Sequence, residues 1–344
     1  MIEVKSEGII LESSQNEFDN QAVLNPACIE LNGITHMFYR GVRQGDMFSS
    51  IGYCQLMNNK VVKRSSVPVI FPEYDYEKGG VEDPRIVFLD GIYYLFYTVY
   101  DRRNALIAYA TSTDLVNFTK HGIISPRITY AEAGSLFCSS NVKIREKYSI
   151  FESYIRHRQG DDILLWEKDA FIFPKKINGK FALVHRILPG IQVIYFDDFK
   201  DLTDDYWRNY LRNLGEYIIL DSVSRFESRN VGGGCPPIET KDGWLLIYHA
   251  VEDSRMGRIY HAAAALLDIN DPTKIIARLK RPLFSPSEKW EKQGDVNNVV
   301  FPTGTIKKGG RLYIYYGAAD KLIAAKSIDM KELLTELKNN KDNF

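Results

Sequence analysis

The run Glu82-Asp83-Pro84-Arg85 sets two acids and an arginine directly ahead of an apolar strand, and similar arrangements recur along the chain. Asn25 and Asp83 each stand eight residues before a turn glycine, Gly33 and Gly91, and Asp169, beside Lys168, stands ten before Gly179. Arg40, Thr98, His185 with Arg186, and His249 follow their turns by six or seven residues, and Asp320 closes the last unit. A carboxylic acid facing arginine, lysine and histidine can hand a proton to a leaving group while the cations hold an anion. Each charge taken singly also reads as a solvated strand end or an ion pair between sheets. A set confined to strand ends points to one shared site, because a buried charge needs a partner or a function.

The elements that would position these residues repeat five times. Asn32-Gly33, Asp90-Gly91, Asn178-Gly179, Asp242-Gly243 and Gly309-Gly310 each separate a short apolar strand from an aromatic-rich one. Such pairs suit type I′ hairpin turns, which need positive φ at both central residues. A third strand follows most of them, as in SIGYCQL, LIAYATSTD, IYHAAAALLD and LIAAKSID. The turn glycines lie 58, 88, 64 and 67 residues apart. Sheet units at that period predict an all-β chain, a five-bladed β-propeller whose inner strands converge on a channel. The 88-residue interval contains 122–160, read as an irregular loop over one face. Apolar spacing predicts helices over 201–214 and about 329–340, packed peripherally. No low-complexity linker divides residues 1–344, so one domain is expected. His36 and His261 read as core imidazoles bonded to backbone, and Gly232-Gly233-Gly234 as a close passage of backbones rather than an anion nest.

Composition excludes several classes of function. The 44 basic and 44 acidic residues cancel, so no net field favours nucleic acid or a membrane surface. The first residues carry charges inside their only apolar run, unlike a secretory signal, and no stretch reaches the ~20 apolar residues of a membrane span. Cys28, Cys54, Cys138 and Cys235 are scattered, which suggests reduced thiols in a cytoplasmic protein and no metal site.

Five motifs in order, NPACIELNGITHMFYR, GGVEDPRIVFLDGIYYLFYT, KDAFIFPKKINGKFALVHR, ESRNVGGGCPPIETKDGWLLIYHAV and YYGAAD, resemble glycoside hydrolase family 130, the β-mannoside phosphorylases and related β-mannosidases. The likeness runs over roughly residues 20 to 325. It implies a five-bladed propeller with Asp83 as proton donor, acting through the sugar's own 3-hydroxyl while phosphate attacks with inversion to release mannose 1-phosphate. It places Asn25, Arg40, Glu82 and Asp320 on the non-reducing mannose of a β-manno-oligosaccharide. Lys168, Arg186, His249 and Tyr260 fall at phosphate positions, as does Asn230, where the phosphorylases carry lysine. No cofactor is implied beyond phosphate as co-substrate.

Two departures keep another nucleophile open. Asn230 removes a cation, and Lys168 replaces a frequent arginine with a point charge. A β-mannosidase that uses water needs a carboxylate base. Glu227 is the candidate, or else a structural acid at a strand start. A non-catalytic sugar-binding propeller is the reading from another class; the acid Asp83 with bases across the same ring argues against it. The helices offer a surface for a homo-oligomer.

Overall fold

The computed structural model describes residues 2–139, 144–255 and 257–340. Strand β1 (Val4–Leu11) leads into a first sheet of β2 (Ala22–Leu31), β3 (Ile34–Val42), β4 (Ser49–Met57) and β5 (Lys60–Arg64). The second sheet comprises β6 (Gly80–Leu89), β7 (Ile92–Tyr100), β8 (Ala105–Ser112) and β9 (Thr119–Ile123). Helices α1 (Tyr130–Cys138) and α2 (Lys147–Gln159) precede the third, which is β10 (Lys168–Ile172), β11 (Phe181–Arg186), β12 (Ile191–Phe196) and, after α3 (Asp204–Arg212), β13 (Ile218–Leu220). The fourth contains β14 (Asn230–Gly233), β15 (Ile238–Thr240), β16 (Gly243–Ser254), β17 (Gly257–Leu267) and β18 (Ile275–Arg278). Helix α4 (Lys289–Lys292) leads to β19 (Val300–Lys308), β20 (Arg311–Ala318) and β21 (Leu322–Asp329), and α5 (Met330–Lys338) follows.

Every pairing within these five sheets is antiparallel, and each strand sits beside its predecessor in the chain except in the fourth sheet, where β14 and β15 both pair with β16, and at the end. There β1 pairs with β21, so the first strand completes the last sheet. The first strands also touch one another: β2 meets β6, β6 meets β10, β10 meets β14, and β19 returns to β2. Four of the five hairpin turns lie where the sequence predicts them; the one before β16 falls a residue earlier, at Lys241-Asp242, because Gly243 already pairs with Thr240. Asn32, Asp90 and Asn178 take φ of 53°, 51° and 51°, each followed by a glycine of positive φ.

The stretch 122–160 is not a loop. Helix α2 buries Tyr148, Phe151, Glu152 and Ile155, one stripe at helical spacing, and α1 buries Tyr130, Ala133, Leu136 and Phe137. Residues 140–143 of that stretch lie outside the described residues. No helix among the described residues is long and apolar enough to cross a membrane. His36 and His261 are buried as expected, but their partners are side-chain hydroxyls, Tyr53 at 2.7 Å and Ser285 at 2.8 Å.

A buried acid recurs beneath the sheets. Asp19, Glu77, Glu227 and Glu291 are each fully buried just before the first long strand of their sheet. Asp19 accepts from the Tyr39 hydroxyl at 2.8 Å and pairs with Arg64 at 2.6 Å. Glu291 accepts from Tyr316 at 2.6 Å and pairs with Lys326 at 2.8 Å. Glu77 pairs with Lys120 at 2.8 Å. In the third sheet Glu167 and Tyr210 take the two nitrogens of His185, both at 2.7 Å.

Glu227 belongs to this set. One carboxylate oxygen accepts from the Tyr248 hydroxyl at 2.8 Å and Arg278 at 2.6 Å, and the other from the backbone N–H groups of Val223 and Ser224 at 3.0 and 2.9 Å. It is spent on structure and does not line the cavity described below, which corrects its reading as a base for water. Glu227→Gln leaves Arg278 buried without its counter-charge, and the expected loss is about 3–5 kcal/mol of stability in a denaturant titration. The folded variant should keep its turnover; lost turnover at unchanged stability would restore Glu227 as a base.

Candidate active site

In β2, β6 and β10 the hairpin register slips at the same place: two residues, Asn25-Pro26, Asp83-Pro84 and Asp169-Ala170, oppose a single partner. The first residue of each bulge is left-handed, with φ of 52°, 52° and 58°. Asparagine and aspartate enter that region more readily than other residues with a side chain, so the sequence preference and the bulge agree. All three line one cavity of about 340 Å³, together with Arg40, Lys168, Arg186, Arg258, Tyr260, Val296, Val299, Phe301 and Asp320.

The charges are interlocked. Glu82 sits at the wall and bridges two cations, accepting from Arg40 at 2.8 Å and Lys168 at 2.9 Å. Asp83 accepts from the Asn25 amide at 2.7 Å and lies 3.6 Å from Arg40. Burial by itself would raise the Asp83 carboxyl, but Arg40, Lys168, the Asn25 amide and Arg85 outweigh it and hold it below its usual range. Asp169 pairs with Arg186 at 2.8 Å and lies 3.8 Å from Arg85. Asp320 behaves oppositely: burial, reinforced by Asp83, Asp295 and Glu82 against Arg40, lifts it to about 6.

Four predicted residues stay out of the cavity lining: Glu82, which sits behind it on Arg40 and Lys168, and His249, Asn230 and Glu227. His249 is fully buried, its ring 4.4 Å from Phe301 and its Nε2 3.8 Å from Asp169. Burial lowers its pKa to about 4, so at neutral pH it is an uncharged imidazole behind the wall rather than a cation on an anion. Asn230 is buried on β14, opposite Val251, which itself faces Tyr260 across the next pair. Glu227 is held as described above. The glycine run is a close passage: a Cβ on Gly232 would meet the His249 ring at 2.3 Å, and one on Gly234 the Ile247 carbonyl at 2.6 Å. Its carbonyls accept from Arg85, so the run faces a cation and is no anion nest.

Comparison with known proteins gives the family. Residues 7–339 match the family described as beta-1,4-mannooligosaccharide phosphorylase, glycoside hydrolase family 130. A 1,2-beta-oligomannan phosphorylase of Thermoanaerobacter sp. is 34% identical over 94% of this chain and 96% of its own. The chain belongs to glycoside hydrolase family 130. A beta-1,2-mannobiose phosphorylase of the same organism is 32% identical over 94% of this chain and 96% of its own. The fold is shared with beta-1,2-mannobiose phosphorylase from Listeria innocua, with a TM-score of 0.74 at 22% identity over 98% of this chain and all of that one.

Sequence reading of this family 130 chain grouped Asp169 with the strand-end acids but gave it no role, and passed over Arg258 and Phe301. Asp169 carried a signal, since it occupies the third-repeat position of Asn25 and Asp83. Arg258 and Phe301 have no counterpart in the repeat, and only the approach of β17 and β19 brings them to the cavity.

Asp320 generates a pH-dependent expectation. Between its ordinary 3.8 and about 6 the native state keeps a proton that the unfolded chain releases, so stability falls as pH rises through about 6. Ionising this buried carboxyl at pH 7.5 costs about 3 kcal/mol. Asp320→Asn should therefore melt a few degrees above the parent at pH 7.5, with the difference vanishing towards pH 4. A difference independent of pH would show that burial of the Asp320 charge is not its source.

Proposed function

We propose that the chain is an inverting phosphorylase that removes mannose from the non-reducing end of β-linked mannosides and releases mannose 1-phosphate. One observation carries the reading: a single cavity sets Asp83 against Lys168, Arg186 and Tyr260, with every carboxylate on the cations' side already engaged. Asp169 is held by Arg186, and Glu82 by Arg40 and Lys168. Asp320 shares Arg40 with Asp83 and so belongs to the acid's side. Inverting hydrolysis needs a base across the sugar from the acid, whereas phosphate arrives as an anion and needs only donors.

In this scheme Asn25, Arg40, Glu82 and Asp320 seat the terminal mannose, while Arg186, Lys168 and Tyr260 receive phosphate. With Arg40, Lys168 and the Asn25 amide as its partners, Asp83 is ionised. A phosphate dianion beside Lys168 would compete for the cations that hold Asp83 low and so raise its pKa towards that of a proton donor. The two long relatives are named for β-1,2-linked mannosides and the family description for β-1,4; the relatives' agreement over the full chain favours β-1,2. We further propose that the five sheets are blades of one propeller domain. First-strand contacts from β2 to β14 and from β19 back to β2, the meeting of β16 and β17 with β19, and the pairing of β1 with β21 support closure.

The test is incubation with β-1,2- and β-1,4-mannobiose, with and without phosphate, followed by detection of sugar phosphate. Mannose 1-phosphate should form from the β-1,2 substrate only when phosphate is present. Free mannose as the sole product at saturating phosphate would overturn phosphorolysis. Asp83→Asn keeps a side chain that accepts the left-handed backbone and should lose a factor of about 10²–10⁴ in turnover while still binding sugar.

A further inference from the structure

Among the described residues, every cation lining the cavity except one is already committed to a carboxylate. Arg40 lies against Glu82 and Asp83, Lys168 against Glu82, and Arg186 against Asp169. Arg258 makes no ion pair or hydrogen bond through its side chain among the described residues, yet it lines the cavity. Its cross-strand neighbour Asp253 pairs instead with Arg229 at 3.4 Å, and Glu252 lies 3.2 Å from Arg225 and 3.4 Å from His261.

The position of Arg258 in the fold explains how a free cation reaches the site. Strand β14 ends its pairing with β16 at Asn230 opposite Val251, but β16 and β17 continue together to Ser254 opposite Gly257. Those last rungs form a two-stranded arm beyond the sheet. Arg258 and Tyr260 are two residues apart on one strand and so share a face, and both line the cavity. The lining holds four cations and three carboxylates; without Arg258 the two signs are equal.

We propose that Arg258 is a binding residue for the phosphate co-substrate, the uncommitted guanidinium that recruits the dianion and clamps it against Arg186 and Tyr260. This rests on the phosphorolytic reading above. A guanidinium with no internal partner gives up no ion pair when it binds an oxyanion, and its fork matches two phosphate oxygens. The committed cations instead share their donors with the acids that orient them. An exposed arm also leaves Arg258 free to turn towards the incoming ion.

The experiment is steady-state kinetics of the intact chain with phosphate and mannoside varied separately, for wild type, Arg258→Gln and Arg258→Lys. Arg258→Gln should raise the KM for phosphate about 10-fold or more, the expected size for a lost charge-assisted contact. The KM for mannoside and kcat at saturating phosphate should stay within about 2-fold. Arg258→Lys should recover part of the loss, and added salt should raise the phosphate KM of wild type more steeply than that of Arg258→Gln. An unchanged phosphate KM, or a rise confined to the mannoside KM, would overturn the role of Arg258 and leave phosphorolysis standing. Wild type that releases free mannose regardless of phosphate would sink both.

Discussion

A carboxylate removed from water must be met by donors on every side, and this chain meets that requirement beneath each of its sheets. Asp19, Glu77 and Glu227 hold a cation from an outer strand and Glu291 one from β21, and three of the four also hold a tyrosine from a middle strand. Glu167 with His185 is the variant in the third sheet. Removing one partner would leave the other charge buried and unanswered, which is costly. These anchors tie the approach to each sheet to the strands behind it. In the first three sheets Tyr39, Tyr97 or His185 stands opposite the bulge, and of these Tyr39 and His185 are held by the buried acid.

The bulge carries that geometry to the site. Across from that side chain the chain takes an extra residue in left-handed conformation, and Asn25, Asp83 and Asp169 are thereby brought to the cavity. One repeated backbone feature thus delivers an amide, the candidate acid and a counter-ion for Arg186. The repeat has been put to different uses: in the fourth sheet glycines occupy the corresponding region, and the room is taken by His249 and the guanidinium of Arg85.

Electrostatics within the cavity separate two carboxylates that are chemically alike. Asp83 and Asp320 both feel Arg40, but Asp83 also has Lys168 and the Asn25 amide, while Asp320 has further acids near it. The first is held ionised and the second is lifted to about 6. Their roles are therefore set by neighbours contributed from different sheets, and an arriving anion changes the balance that both depend on.

The number of sheets, the hairpin turns, and the grouping of Asn25, Arg40, Asp83, Lys168, Arg186 and Asp320 were legible in the sequence. The physical reason is that hairpin turns need positive φ and strands need alternating or continuous apolar residues, both local requirements that each repeat states again. The helices of 130–159 were missed: Tyr148, Phe151 and Ile155 have helical spacing, but their short run was lost among polar residues. The state of the charges was not legible. Whether Glu227 is a base or an anchor depends on Tyr248 and Arg278, and whether His249 meets an anion depends on Phe301 and Asp169. Arg258 counts as uncommitted only because Asp253 turns to Arg229. Residue type and spacing determine which groups approach one another; burial and the partners supplied by distant strands decide which of them remain free to act.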